Sequence, residues 1–429
     1  MRKIVVEGGV PLRGQIEVSG AKNAVLPLMA ATLLADGVSV IEDSPWLADV
    51  DTMCAVLASL GLSCTYEEGS LRINSSGLCH TEAPGELVRK MRASFLVMGP
   101  LLARCGRVRM SLPGGCAIGV RPIGLHLKGL EAMGAEVSIG DGYIEAKANR
   151  LKGNQIYLDF PSVGATENLM MAAALAEGNT VIGNAAQEPE IVDLSNMLSA
   201  MGARIKGAGT NIIRIKGVKA LNPALHTVIP DRIEAGSFMV MAAATGGELI
   251  ITNVITEHIK SVTAKLKEAA ITVEEGYDGV HVIGAKKLLP VDVKTLPYPG
   301  FPTDMQAQFM ALLTLAHGTS VITETVFENR FRHAEELCKM SADIKTEGNS
   351  AVINGIPRLH GATLTATDLR AGAAMIVAAL AAQGITTIQG IHHIERGYEN
   401  ICGKLSKAGA KITLVEEADG LLRSPSFEF

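Results

Sequence analysis

The stretch ALAEGNTVIG, residues 174–183, runs from an apolar helix-like segment through a glycine into a β-rich segment, and this chain writes that phrase six times. The other copies are LLADGVSVIE (33–42), LLARCGRVRM (101–110), AATGGELIIT (243–252), TLAHGTSVIT (314–323) and LAAQGITTIQ (380–389). Their glycines fall at 37, 106, 178, 247, 318 and 384, a period of roughly 66 to 72 residues. A second phrase follows each copy in phase: LASLGLSC, LEAMGAEV, LSAMGARI, LKEAAITV, CKMSADIK and LSKAGAKI. Gly61, Gly134, Gly202 and Gly409 suit the left-handed position that ends a helix, while Ala270 and Ser341 stand there in two copies.

Each unit therefore reads strand, helix, strand, helix, strand pair, which makes an α/β chain. The first helix of a unit, as in NAVLPLMAATLLA or ENLMMAAALA, is apolar around nearly its whole circumference and must be buried on all sides. The second, as in IKSVTAKLKEAA, is amphipathic and faces a sheet on one side and water on the other. Helices inside with sheets around them reverse the layering of a TIM barrel. Six units divide into two sets of three with a border near Pro230: residues 21–229 as one domain, residues 1–20 plus 230–429 as the other. The opening strand region, PLRGQIEVSGAKNA, leads into the first buried helix, and the pattern leaves open whether it pairs with the first domain or, by strand exchange, with the second.

At 429 residues two domains are the default. The 48% hydrophobic content fills large cores, and with only 4% aromatic residues those cores rest on Ala, Val, Ile, Leu and Met. A net charge of −5 with no Lys/Arg run argues against nucleic acid as a partner. Seven cysteines without C-x-x-C spacing indicate neither a disulfide framework nor a zinc site, and fit a reducing cytoplasm. The opening MRKIVVEGGVPLRG lacks the pattern of a signal peptide, and the longest apolar runs, such as MIVAALAA at 375–382, are too short to cross a membrane. Neither a Walker loop nor a G-x-G-x-x-G after a strand is present, and His392 and His393 have no partners spaced as a metal set; no metal and no cofactor are expected.

Residues that break the apolar pattern cluster where a strand hands over to a buried helix: Lys22 and Asn23, Arg92, Ser162 and Thr166, Asp231 with Arg232 and Glu234, Asp304, and Asp368 with Arg370. Helix starts favour anions. Thr303, Asp368 and Asp231 also read as simple N-caps. Lys22 and Arg92 do not, because the helix dipole disfavours a cation there, and an anionic ligand would resolve the conflict. Arg330 and Arg396, taken singly, read as surface charges. Cys116 sits in LPGGCAIGVRP (112–122), where the glycines and the nearby Arg121 suit a reactive thiolate; a small buried hydrophobe is the commoner fate of a free cysteine, and the residues by themselves leave both readings open.

The ordered set SGAKNA, MRAS, LPGGCAIGVRP, SVGAT, EPEIVD, PDRIEAGSF, FPTDMQAQ, TETVFENRF, ATDLRA and HIERGYE resembles the UDP-N-acetylglucosamine 1-carboxyvinyltransferases from about residue 1 to about 418. The resemblance implies two inside-out α/β domains, barrel-like and of three units each, with the active site in the cleft between them. It implies enolpyruvyl transfer from phosphoenolpyruvate to the 3-hydroxyl of UDP-N-acetylglucosamine, with neither cofactor nor obligate protein partner. By the same resemblance Lys22, Asn23, Arg121, Arg330, Arg370 and Arg396 bind phosphoenolpyruvate, the phosphate falling to Lys22, Arg121 and Arg396. Asn23, Arg92, Arg121, Pro122, Ile123, Gly124, Leu125, Ser162, Val163, Gly164, Asp304 and Val326 would meet the nucleotide sugar. Cys116 would be the general acid and the target of fosfomycin, Asp304 the base on the sugar hydroxyl, and Asp368 a partner in proton traffic. Gly124 stands where many members carry an acid and Phe160 where some carry lysine, so uridine contacts there are less secured. The nearest enzyme alternative, 5-enolpyruvylshikimate-3-phosphate synthase, shares the architecture without the LPGGC motif; a non-catalytic six-repeat scaffold is the other.

Overall fold

The computed structural model describes residues 2–112, 123–277 and 279–416. It contains six four-stranded mixed sheets, one per repeat. The third repeat shows the plan. Strand Gln155–Tyr157 lies parallel to Asn179–Gly183, which pairs antiparallel with Ile212–Lys216, which pairs antiparallel with Arg204–Lys206. Thr180 and Ile182 alternate inward, as do Ile213 and Ile215 on the neighbouring strand, so one face of the sheet meets the helices and the other meets water.

Each repeat places an apolar helix under its sheet. In Arg232–Ala244 every residue from Ile233 to Ala243 is buried, and in Leu369–Ala381 every residue from Arg370 to Leu380. These two helices and Gln306–Leu313 pack on one another. The amphipathic helix Lys260–Glu268 buries only Val262, Thr263 and Leu266. The second and fifth repeats depart from the plan: their helices Met98–Cys105 and Gln306–Leu313 are short, and each is preceded by a 3-10 segment, Arg92–Val97 and Thr303–Met305.

The chain forms two compact units, one of Ser19–Asp231 with Pro297–Pro299, the other of what precedes Ser19 and the remainder that follows Asp231. Each has its own apolar core. The question left open by the first strands is answered by pairing. Arg13–Glu17 lies parallel to Glu248–Thr252, while Leu225–Thr227 takes the equivalent place beside Val38–Glu42. Repeats one and four have therefore exchanged leading strands. The N-terminal strand Arg2–Glu7 completes the last sheet, between Ile385–Gln389 and Lys411–Glu416.

The exchange explains one glycine. In the fourth copy of the phrase the left-handed residue is Gly246, at φ +60°, not Gly247. A Cβ on Gly247 would stand 2.3 Å from the carbonyl oxygen of Leu12, which accepts the Glu248 N–H at 2.8 Å as the exchanged strand enters.

Candidate active site

In the unit spanning 19–231, Lys22 opens helix Lys22–Ala31. The conflict between its charge and the helix dipole is settled within the protein. The Lys22 ammonium lies 2.9 Å from Asp49, in a pair whose side chains are 14% and 4% exposed, and the Lys22 N–H donates to Asp231 Oδ2 at 3.2 Å. Asp231 thus supplies an acceptor to the start of a helix distant in sequence. Asn23 follows Lys22 on the first turn, partly buried.

Ser162 caps helix Val163–Ala174, its Oγ accepting from Ala165 N at 3.3 Å, so Val163 and Gly164 form the first turn. Ile123, Gly124 and Leu125 begin helix Gly124–Ala132. Among the described atoms nothing lies within 4 Å of a Cβ built on Gly124, so an acidic side chain would have room there. His126 beneath them is buried; its Nδ1 meets Asn168 Nδ2 at 3.1 Å and its ring stands edge-on to Phe95. Burial, reinforced by the charge of Arg92, lowers its pKa to about 3. A Cβ on Gly164 would come within 3.4 Å of the His126 ring. The structure thus sets Arg92 and the 123–125 and 162–164 segments around one neutral histidine. Cys116, Arg121 and Pro122 lie outside the described residues.

The other unit gathers Asp304, Val326, Arg330, Asp368, Arg370 and Arg396. Asp304 belongs to a 3-10 turn, Thr303–Met305, ahead of helix Gln306–Leu313. Its carboxylate bridges two arginines, Oδ1 to Arg330 Nη2 at 2.7 Å and Oδ2 to Arg370 Nη2 at 2.9 Å. Both arginine side chains are 4% exposed, which corrects the surface reading of Arg330. Burial pushes the Asp304 carboxyl upward, but the charges of Arg370 and Arg330 outweigh it and hold the group well below the usual range.

Asp368 does cap its helix, Oδ1 accepting from Arg370 N at 2.9 Å and Ala371 N at 3.0 Å. Thr303 does not: its hydroxyl donates to Glu324 at 2.8 Å. Val326 hangs its N–H on Glu324 at 2.8 Å. Arg370 Nη1 donates to the Tyr398 hydroxyl at 3.4 Å, which in turn meets Ser237 Oγ at 2.7 Å. His333 is buried against Asp368 and Arg330. Burial lowers its pKa to about 4 even though Asp368 pulls the other way. Arg396 closes the 3-10 segment Ile391–Arg396, and its charge acts on His393, as does that of Asp368.

Sequence reasoning missed Asp49, Glu324, His126, His333 and Tyr398. Glu324 and Tyr398 lie within the quoted motifs TETVFENRF and HIERGYE, where the arginines drew the attention. Among the described residues no group of three or more His, Cys, Asp or Glu could hold a metal ion.

The sequence matches the family described as EPSP synthase (3-phosphoshikimate 1-carboxyvinyltransferase) over residues 6–405. It is 59% identical over 421 residues to UDP-N-acetylglucosamine 1-carboxyvinyltransferase 1 of Halalkalibacterium halodurans, covering 98% of this chain and 96% of that one. It is 58% identical over 410 residues to the protein of the same name from Caldanaerobacter subterraneus subsp. tengcongensis, covering 96% and 99%. Among solved structures, the enolpyruvyl transferase NikO from Streptomyces tendae superposes with a TM-score of 0.87 at 26% identity, over 96% of this chain and 98% of that one. EPSP synthase from Acinetobacter baumannii shares the fold, with a TM-score of 0.75 at 21% identity, over 97% of this chain and all of that one.

Proposed function

The chain belongs to the EPSP synthase family of enolpyruvyl transferases, with UDP-N-acetylglucosamine 1-carboxyvinyltransferases as its 58–59% identical relatives, and from that premise we propose its reaction and the work of its residues. It transfers the enolpyruvyl group of phosphoenolpyruvate to the 3-hydroxyl of UDP-N-acetylglucosamine and releases phosphate, by addition and elimination through a tetrahedral ketal. This is the first committed step of peptidoglycan precursor synthesis. The observation that carries the reading is near-full-length identity to proteins of that name, where a fold-level likeness alone would leave the acceptor open.

Both substrates are anions, and forked arginine donors suit phosphate and carboxylate alike. Lys22, Arg121 and Arg396 take the phosphate of phosphoenolpyruvate, Arg330 and Arg370 its carboxylate, with Asn23 beside them. The nucleotide sugar engages Arg92, Arg121 to Leu125, Ser162 to Gly164 and Val326. Cys116 protonates the methylene carbon of phosphoenolpyruvate, which makes the phosphate-bearing carbon electrophilic. Asp304 accepts the proton of the attacking sugar hydroxyl.

Paired with Arg330 and Arg370, Asp304 is a poor base, because the two guanidinium groups stabilise its anion. A substrate carboxylate competes for those same guanidinium groups and so returns basicity to Asp304 when the reaction is assembled. Asp368 commits Oδ1 to two backbone N–H groups, while Oδ2 accepts only from the Thr367 hydroxyl at 3.3 Å among the hydrogen bonds described, and Oδ2 is the oxygen for proton exchange as the ketal collapses. We place the enzyme in the cytoplasm, acting on small molecules only, with Cys116 open to alkylation by the epoxide fosfomycin.

Phosphate release measured with both substrates, with either alone, and with shikimate 3-phosphate as acceptor tests the reading. Release is expected only with phosphoenolpyruvate plus UDP-N-acetylglucosamine, and fosfomycin is expected to stop it by adding its mass at Cys116. Release with shikimate 3-phosphate would reassign the acceptor. Silence with every acceptor would favour a binding scaffold, and a label on the exposed Cys79 or Cys105 would overturn the choice of thiol.

A further inference from the structure

Glu324 is 2% exposed, and its two oxygens do separate work. Oε1 accepts from Thr295 Oγ1 at 2.7 Å, Val326 N at 2.8 Å and Phe327 N at 3.3 Å, which builds the turn leading to Arg330. Oε2 accepts from the Thr303 hydroxyl at 2.8 Å. A threonine hydroxyl has one proton and a carboxylate only accepts, so with that proton turned to Glu324 the Thr303 oxygen presents lone pairs elsewhere. Arg330 Nη1 uses one of them at 3.2 Å while its Nη2 holds Asp304 Oδ1 at 2.7 Å. The guanidinium fork thus spans two consecutive residues of one 3-10 turn. Its Nε is buried with no hydrogen-bond partner among the described residues, and the Phe327 ring, tied to Glu324 through its N–H, stands 5.3 Å from the guanidinium carbon.

We propose that Glu324 is a positioning residue: by fixing which way the Thr303 hydroxyl points, it locks the Arg330 fork across Thr303 and Asp304 and so sets how firmly Asp304 is held before substrate arrives. This rests on the reading of Asp304 as the base. The charged groups paired with Asp304 include Arg330 on the loop after strand Thr319–Thr323 and Arg370 on helix Leu369–Ala381, with Glu324 one hydroxyl away. His333 lies beyond them, against Arg330 and Asp368.

Thr303→Val removes the acceptor without changing charge. It should lower kcat about 10- to 100-fold, the scale of a small misplacement in a reacting group, and raise the Asp304 carboxyl pKa as read by carbon NMR in the ligand-free enzyme. Thr303→Ser keeps the hydroxyl and should restore both. Glu324→Gln keeps an acceptor for the turn but points an N–H at Thr303, so the hydroxyl proton loses its acceptor and is free to turn toward the Arg330 fork, and it should lose the same order of kcat. The double variant Glu324→Gln/Thr303→Val should be no worse than Thr303→Val alone, because both act through one contact.

Wild-type turnover with an unmoved Asp304 titration in Thr303→Val would overturn the proposal. So would a Thr303→Ser variant as impaired as the valine, or additive losses in the double variant. If Thr303→Val does not fold, wild-type kcat in Glu324→Gln overturns it by itself. A wild-type enzyme that releases no phosphate would instead refute the reaction, and the carboxyl titration would still decide the positioning role.

Discussion

Lys22 shows how a single residue carries two demands. A cation on the first turn of a helix opposes the dipole, and the chain offsets it with two carboxylates, Asp49 on the ammonium and Asp231 on the N–H. With both partners of the Lys22–Asp49 pair largely buried, Asp49 holds the ammonium in one direction. Asp49→Asn would leave the lysine mobile and poorly compensated. The expected result is a KM for phosphoenolpyruvate about tenfold higher, equivalent to ~1.4 kcal/mol, with a smaller change for the nucleotide sugar. Equal changes for both substrates would argue that Lys22 is not the phosphate ligand. Asp49 escapes a reading of motifs because its value lies in which distant side chain it meets.

At the scale of the element, the six repeats end their second helix in the same backbone geometry whatever the residue. Gly61, Gly134, Gly202 and Gly409 are left-handed there, and so are Ala270 at φ +69° and Ser341 at φ +74°. A side chain in that conformation carries a Cβ clash that glycine avoids. Tertiary register has overridden local preference in those two repeats. Relieving a left-handed penalty of about 1–2 kcal/mol against a glycine entropy cost of about 0.5–1 kcal/mol, Ala270→Gly and Ser341→Gly should each stabilise the chain by about 0.5–1 kcal/mol, read from urea midpoints at constant m. A loss of stability in either would mean that the greater freedom of glycine in the unfolded chain outweighs the strain relieved.

For the molecule as a whole, buried titratable groups set its response to pH. His126 and His333 stay neutral when folded down to about pH 3 and pH 4, whereas in the unfolded chain they protonate near 6.5. As pH falls below that value the unfolded state binds protons first. The stability these groups contribute above pH 6.5 is then lost toward their folded values, by up to ~1.4 kcal/mol per pH unit for each. Glu167 works in the opposite sense. It is fully enclosed, and burial, with Glu190 and Glu188 adding, raises its pKa well above the ordinary 4.5. Its contribution is complete below pH 4.5 and is lost as pH rises through the folded value. Urea titrations should show a flatter acid slope after His126→Gln or His333→Gln, and for Glu167→Gln a stabilisation that grows with pH. An unchanged slope would mean the imidazoles are protonated in the fold.

The periodicity of glycines and apolar runs was enough to specify six α/β units with helices buried under sheets, because burial on all sides demands an apolar circumference and a helix end demands a left-handed residue. The motifs, long and in order, were enough to point to the reaction. Pairing partners were a different matter. That Arg13–Glu17 and Leu225–Thr227 exchange sheets, that Asp49 meets Lys22, and that Glu324 orients Thr303 for Arg330 are contacts between positions from about 20 to more than 200 residues apart. A local pattern fixes what a segment can bury or donate. Only the closed packing of the chain decides which of several equivalent strands, or which carboxylate, comes within bonding distance.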